Sequence, residues 1–248
     1  AAKYSLAKAG SIFAFLADDL TVRLVDGQNM TTISDLDFTL KVRGNGTTTM
    51  PGFSVISDAI GFFVDSPIHK IYYITFPTEG FTWGFDLSTG FSHQRKSLSS
   101  DYWRAAHSQI FANKIIIGDL LSSNIWILDP RSESEGNDYM VCTIRTPGIS
   151  FDSNATIPSI IIEAETGQPL TPDVDPHILI KSSRDGGFNW VNHETISLGY
   201  TGRYENQIII WSLGRVVKHK DFVLELTLTA TSRFQLYGAF ADVNLDGQ

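Results

Sequence analysis

Ser183-Arg184-Asp185-Gly186-Gly187-Phe188-Asn189-Trp190 is the stretch from which the fold is read. It lies between two runs of strand-forming residues, and its residue types suit a hairpin turn. Asp185 can accept hydrogen bonds from the amides that follow it, Gly186 and Gly187 permit positive φ, and Trp190 can fold its ring back over the turn. A turn is not a catalyst, so Ser183, Asp185, Gly187 and Trp190 are read as structural.

Working outward, the composition supports the same class. Sixteen Phe, eight Tyr and five Trp accompany short Ile/Val/Thr-rich runs, which 20 Gly and 9 Pro divide. That balance predicts an all-β chain with little helix. With 248 residues and 42% hydrophobic content, the chain can bury one large β-domain or two smaller ones.

The octet resembles the Asp-box, S-x-D-x-G-x-T-W, with Asn189 in place of Thr. That motif recurs in sialidases and many other β-proteins, away from the chemistry in the enzymes. Beyond Trp190 come Leu198-Gly199-Tyr200-Thr201-Gly202-Arg203-Tyr204 and Ile208-Ile209-Ile210-Trp211-Ser212-Leu213-Gly214-Arg215. The alternating runs Phe222-Val223-Leu224-Glu225-Leu226-Thr227-Leu228 and Phe234-Gln235-Leu236-Tyr237-Gly238-Ala239 follow.

This order of a D-G-G-x-x-W turn, an L-G-x-x-G-x-Y turn, a W-x-x-L-G-R strand end and a final alternating strand resembles the carboxy-terminal part of phage tail hub proteins. In short-tailed phages the family is called the packaged-DNA stabilisation protein, or nozzle. The resemblance implies a structural virion protein of the phage tail, made in the host cytoplasm. It implies a homo-oligomeric ring below the portal and adaptor that closes or lines the DNA exit channel and engages a tail needle or plug. In that reading Gly199, Gly202 and Gly214 join the structural turn residues, none of the residues is catalytic, and no cofactor is expected.

The formal charge of −8 is spread over both halves, and the one compact basic run is Lys218-His219-Lys220. Tight DNA binding needs clustered Lys and Arg to displace phosphate counterions. An acidic wall past which DNA slides without adhering remains compatible with this charge. The single Cys142 excludes an intramolecular disulfide and is expected to be buried in a strand. No apolar run reaches membrane length, so no membrane span is expected. The chain opens on Ala1 without an initiator Met, which leaves room for a longer polypeptide; as an isolated fragment it is expected to be a monomer or weak oligomer.

In chain order, Ser11 to Leu16 and Leu20 to Asp26 read as a first strand pair around Asp18-Asp19. Leu36, Phe38, Leu40 and Val42 alternate with polar residues, and the period of 2 predicts a strand there. Runs at 60–64, 71–76 and 81–85 close on Asp86; runs at 103–106, 109–111, 115–117 and 125–128 close on Asp129, 43 residues later. That interval is the size of one propeller blade, about 40 to 50 residues. The expected organisation is therefore propeller-like blades over 1–146, possibly incomplete, and a β-sandwich-like domain with the Asp-box hairpin over 147–248, with a soft boundary near Pro147.

Six scattered His have no zinc-ligand spacing, and there is no G-x-S-x-G, P-loop or G-x-G-x-x-G. Asp242-Val243-Asn244-Leu245-Asp246-Gly247 matches the start of a calcium loop, with Asp242, Asn244 and Asp246 as its oxygen ligands. The bidentate carboxylate of such a loop would fall beyond Gln248, so calcium is a secondary expectation. The alternative reading is a sialidase-like or carbohydrate-binding β-propeller, with Trp83, Trp103 or Trp126 stacking on sugar and scattered arginines converging on one carboxylate.

Overall fold

The computed structural model of the chain describes residues 2–47, 51–129, 132, 134–169, 175–229 and 235–246. Among them are 22 strands and one α-helix, and every sheet is antiparallel, so the chain is all-β. No helix among the described residues is long and apolar enough to cross a membrane. The chain divides into two compact units, Ala1–Ser132 and Glu133–Gln248. The division precedes Pro147 because the strand Val141–Arg145 pairs along its whole length with Asp221–Thr229 of the second unit.

The first unit is built of three successive antiparallel meanders. The first is β1 (Ala7–Ala9), β2 (Ile12–Leu16), β3 (Val22–Asp26) and β4 (Asn29–Thr32). After helix α1 (Leu36–Arg43) comes the second, β5 (Ile60–Asp65), β6 (Lys70–Phe76), β7 (Phe81–Asp86) and β8 (Ser92–Gln94). The third is β9 (Ala105–Phe111), β10 (Lys114–Asp119) and β11 (Ile125–Leu128). The middle sheet is buried on both faces, and its residues alternate between two cores. Phe63, Tyr72, Ile74, Phe76 and Phe85 pack with the first sheet and Phe38 of the helix, whereas Phe62, Val64 and Tyr73 pack with Trp103, Ala105 and Ile117.

Two details of the first unit differ from the sequence reading. The stretch expected as a strand at Leu36 to Val42 is helix α1. Its first turn is capped by Asp35, whose Oδ1 accepts the Phe38 amide at 2.8 Å, and Gly44 closes it with φ 74°. Phe38 and Val42, one turn apart, both enter the core. The second correction concerns the third meander, where Ala105 and Ala106 of the run expected at 103–106 join the run expected at 109–111 in one strand, β9; the sheet therefore has three strands rather than four.

The second unit opens with a small hairpin, β12 (Ser134–Glu135) and β13 (Asp138–Tyr139). One sheet then holds β14 (Val141–Arg145), β15 (Ile149–Ser150), β17 (His177–Ser183), β18 (Val191–Asn192), β19 (Ile196–Ser197) and β21 (Asp221–Thr229). A separate three-stranded sheet has the order β20 (Ile208–Val216), β16 (Ala155–Ala164), β22 (Leu236–Leu245). Both sheets send alternate residues into one core: Ile157, Ile160, Ile162, Ile208 and Ile210 from the smaller, Ile178, Ile180, Leu224, Leu226 and Leu228 from the larger. Cys142 does not take part, because its position on edge strand β14 leaves it exposed.

Candidate functional site

The octet joins β17 to β18 as a hairpin, with Ser182 opposite Val191. Within it, the Ser183 hydroxyl donates to Asp185 Oδ1 (2.7 Å) and accepts the Gly187 amide (2.8 Å). Asp185 also accepts the Asn189 amide at Oδ1 (2.9 Å) and the Asn189 side-chain amide at Oδ2 (2.6 Å). Asn189, at the Thr position of the motif, thus bonds Asp185 through both its amides. Gly186 and Gly187 stand at φ 77° and 94°, conformations open to glycine at little cost. Trp190 folds back as anticipated, donating Nε1–H to the Gly187 carbonyl at 2.9 Å. The Asn189 amides, then Ser183, hold the Asp185 carboxyl down at about 2.

The remaining turn glycines have separate surroundings. Gly199 (φ 88°) donates its amide to Asp175 Oδ1 at 3.2 Å and to Ser197 Oγ at 3.0 Å. Gly202 (φ 90°) bonds the Gly167 carbonyl at 3.0 Å, closing the second motif onto the loop after β16. Gly214 (φ 88°) lies under Arg184 of the octet, so the first and third motifs meet. The octet also rests on β21, where the Gly186 amide donates to the Asp221 carbonyl at 2.9 Å.

The structure adds a charge row that the sequence did not disclose. Arg145, Glu225 and Lys181 lie in register on β14, β21 and β17. Arg145 Nε donates to Glu225 at 3.1 Å while its guanidinium stands 4.9 Å from the Trp190 ring centre, and Lys181 Nζ is 3.4 Å from Glu225. Burial raises the Glu225 pKa, but the Arg145 and Lys181 contacts outweigh burial and hold it below the usual range. These residues are 36 or more positions apart in the chain, so no local spacing could have announced them.

One pair has the geometry of a nucleophile and its base: Ser182 Oγ and His193 Nε2 are 2.8 Å apart. Burial, then Arg184, keeps the His193 imidazole below its usual pKa and therefore neutral near pH 7. Ser182 is only 1% exposed, however, so its hydroxyl is closed to a substrate and the pair acts as a cross-strand bond.

The calcium-like residues do not form a loop. Asp242 and Asn244 belong to the extended strand β22, not to a turn that would wrap an ion. Asp242 accepts the Ser159 hydroxyl at 2.8 Å, Asp246 pairs with Arg215, and Gly247 lies outside the described residues. Among the described residues no group of three or more His, Cys, Asp or Glu is placed to hold a metal.

The residues named for sugar stacking are likewise elsewhere. Trp103 is fully buried with the Arg95 guanidinium 3.7 Å from its ring centre, and Trp83 and Trp126 pack half-buried against the two cores of the first unit. Arg23, Arg104, Arg145 and Arg215 are each paired with a different carboxylate, on Asp19, Asp119, Glu225 and Asp246.

No family model matches the chain, and no curated protein matches it.

Proposed function

We propose that the chain is a structural protein of a phage tail, part of a ring that closes or lines the DNA exit channel and retains packaged DNA. The observation that carries this reading is the meeting of the ordered turn motifs: Arg184 of the octet packs on Gly214 of the W-x-x-L-G-R strand end. Polar groups of the octet bond one another, as in a framework element. In this reading the three meanders are propeller-like blades. In support, β1 lies against β5 and β5 against β9, so the first strands of successive sheets are neighbours. The two sheets that share the second core are read as a β-sandwich.

Its partners would be the portal and adaptor, a tail needle or plug, and further copies of itself, with DNA passing an acidic lumen without tight binding. The carbohydrate-binding alternative gains no support from the buried placement of Trp103 or the half-buried Trp83 and Trp126. Negative-stain microscopy of the full-length protein mixed with its portal and adaptor tests the proposal. A stable ring below the portal is the expected result. A monomer that ignores portal and adaptor yet hydrolyses or binds sugar would overturn it.

A further inference from the structure

We propose that the free edge of β22 pairs with the same strand of a second copy of this chain, antiparallel across a two-fold axis, joining two three-stranded sheets into one of six strands. β22 is ten residues long, among the described residues it pairs with β16 alone, and none of its residues is buried. A strand bonded on one side presents to solvent a row of N–H and C=O groups on the other, and an extended backbone can replace the water on such a row.

The residues of the strand do little to guard this edge, although its ladder with β16 shifts register at two places. Leu236–Leu245 contains no Lys, Arg or Pro, the residues that usually blunt an edge. Tyr237 and Phe240 are 63% and 59% exposed, and Val243 and Leu245 are exposed beside them. Other edges of the second unit are interrupted or short. β20 is broken by positive φ at Ser212 and Gly214, β15, β18 and β19 have two residues each, and β14 has five and ends on Arg145.

A second copy suits this edge for two reasons. An antiparallel row of donors and acceptors is complementary to itself across a two-fold axis. The strand is also electrically quiet within a chain of net charge −8, because Asp242 is its sole charged residue. An axis at Ala239 or Phe240 sets Asp242 against Leu236 or Gly238 of the other copy, so no carboxylate faces a carboxylate. The pairing does not rest on the tail reading, since it depends on the strand alone.

Sedimentation velocity of the 248-residue chain across a wide concentration range tests it. The mass should rise from one chain to two and stop there. Phe240→Lys and Val243→Lys, which set cations along the edge, should each weaken the dimer at least about tenfold while leaving the circular dichroism spectrum unchanged. A peptide with the sequence of residues 236–245 should compete the dimer apart, a readout that survives even where a lysine variant folds poorly. A single-chain mass at every concentration, a dimer indifferent to the lysines and the peptide, or growth beyond two chains would each overturn the proposal.

Discussion

The Arg184 guanidinium lies so close over Gly214 that a Cβ added to the glycine would stand 2.6 Å from Nη1. Gly214 also holds φ 88°, a conformation that L side chains rarely adopt. Two separate costs therefore attend Gly214→Ala, backbone strain and displacement of Arg184. The expected loss is about 2 to 3 kcal/mol, measured by chemical denaturation. Gly202→Ala, at φ 90° with nothing within 4 Å, should cost only the strain, about 1 to 2 kcal/mol. Equal losses for the two variants would mean that the contact between Arg184 and Gly214 has no energetic weight.

Trp190 is half-buried, held by its bond to Gly187 and by the Arg145 guanidinium above its ring. Trp190→Ala should lower stability by about 2 kcal/mol, less than the roughly 3 to 5 kcal/mol of a fully buried tryptophan. Trp190→Phe keeps the apolar body and loses the indole donor, for about 1 kcal/mol. Thermal unfolding of both variants checks the order, and an unchanged melting temperature for the alanine variant would refute the capping role.

The pH dependence of stability should show two windows on the acid side. Burial, then Arg95, lowers the His93 pKa; burial, then Arg184, lowers that of His193. The unfolded chain, with histidine near 6.5, binds protons that the folded chain resists, so stability falls as pH drops below about 6.5. Asp185 acts lower down, because its folded pKa of about 2 is below the unfolded value of about 3.9. Its contribution is complete above about pH 4 and disappears as pH falls toward 2. Melting temperatures against pH should lose part of the upper slope in His193→Gln and part of the lower slope in Asp185→Asn.

Asp35 caps α1 through the Phe38 amide and also accepts the Ser92 hydroxyl from β8. Asp35→Ala should cost about 1 to 2 kcal/mol, and Asp35→Asn, which can still cap, appreciably less. Urea denaturation followed by tryptophan fluorescence reads both, and equal losses would show that capping is not the source.

Much of the framework was legible in the sequence because β-structure writes locally. Alternation placed β2, β3 and β21, apolar runs placed β6 and β7, and the residue types of Ser183 to Trp190 identified a turn whose bonds span only a few positions. Alternation misled at Leu36 to Val42 because apolar residues at 36, 38, 40 and 42 also include the i, i+4 pair Phe38 and Val42. The Asp35 cap and the core beneath Phe38 decided for helix. Asp242, Asn244 and Asp246 match a calcium loop as a string of letters, and pairing with β16 stretched Asp242 and Asn244 along a strand instead. The burial of Trp103, the row Arg145, Glu225 and Lys181, and the contact of Arg184 with Gly214 depend on which strands become neighbours and in what register. Local residue order sets where a chain turns and which side chains share a strand face; the pairing of distant strands, set by the packing of whole sheets, decides what those side chains meet.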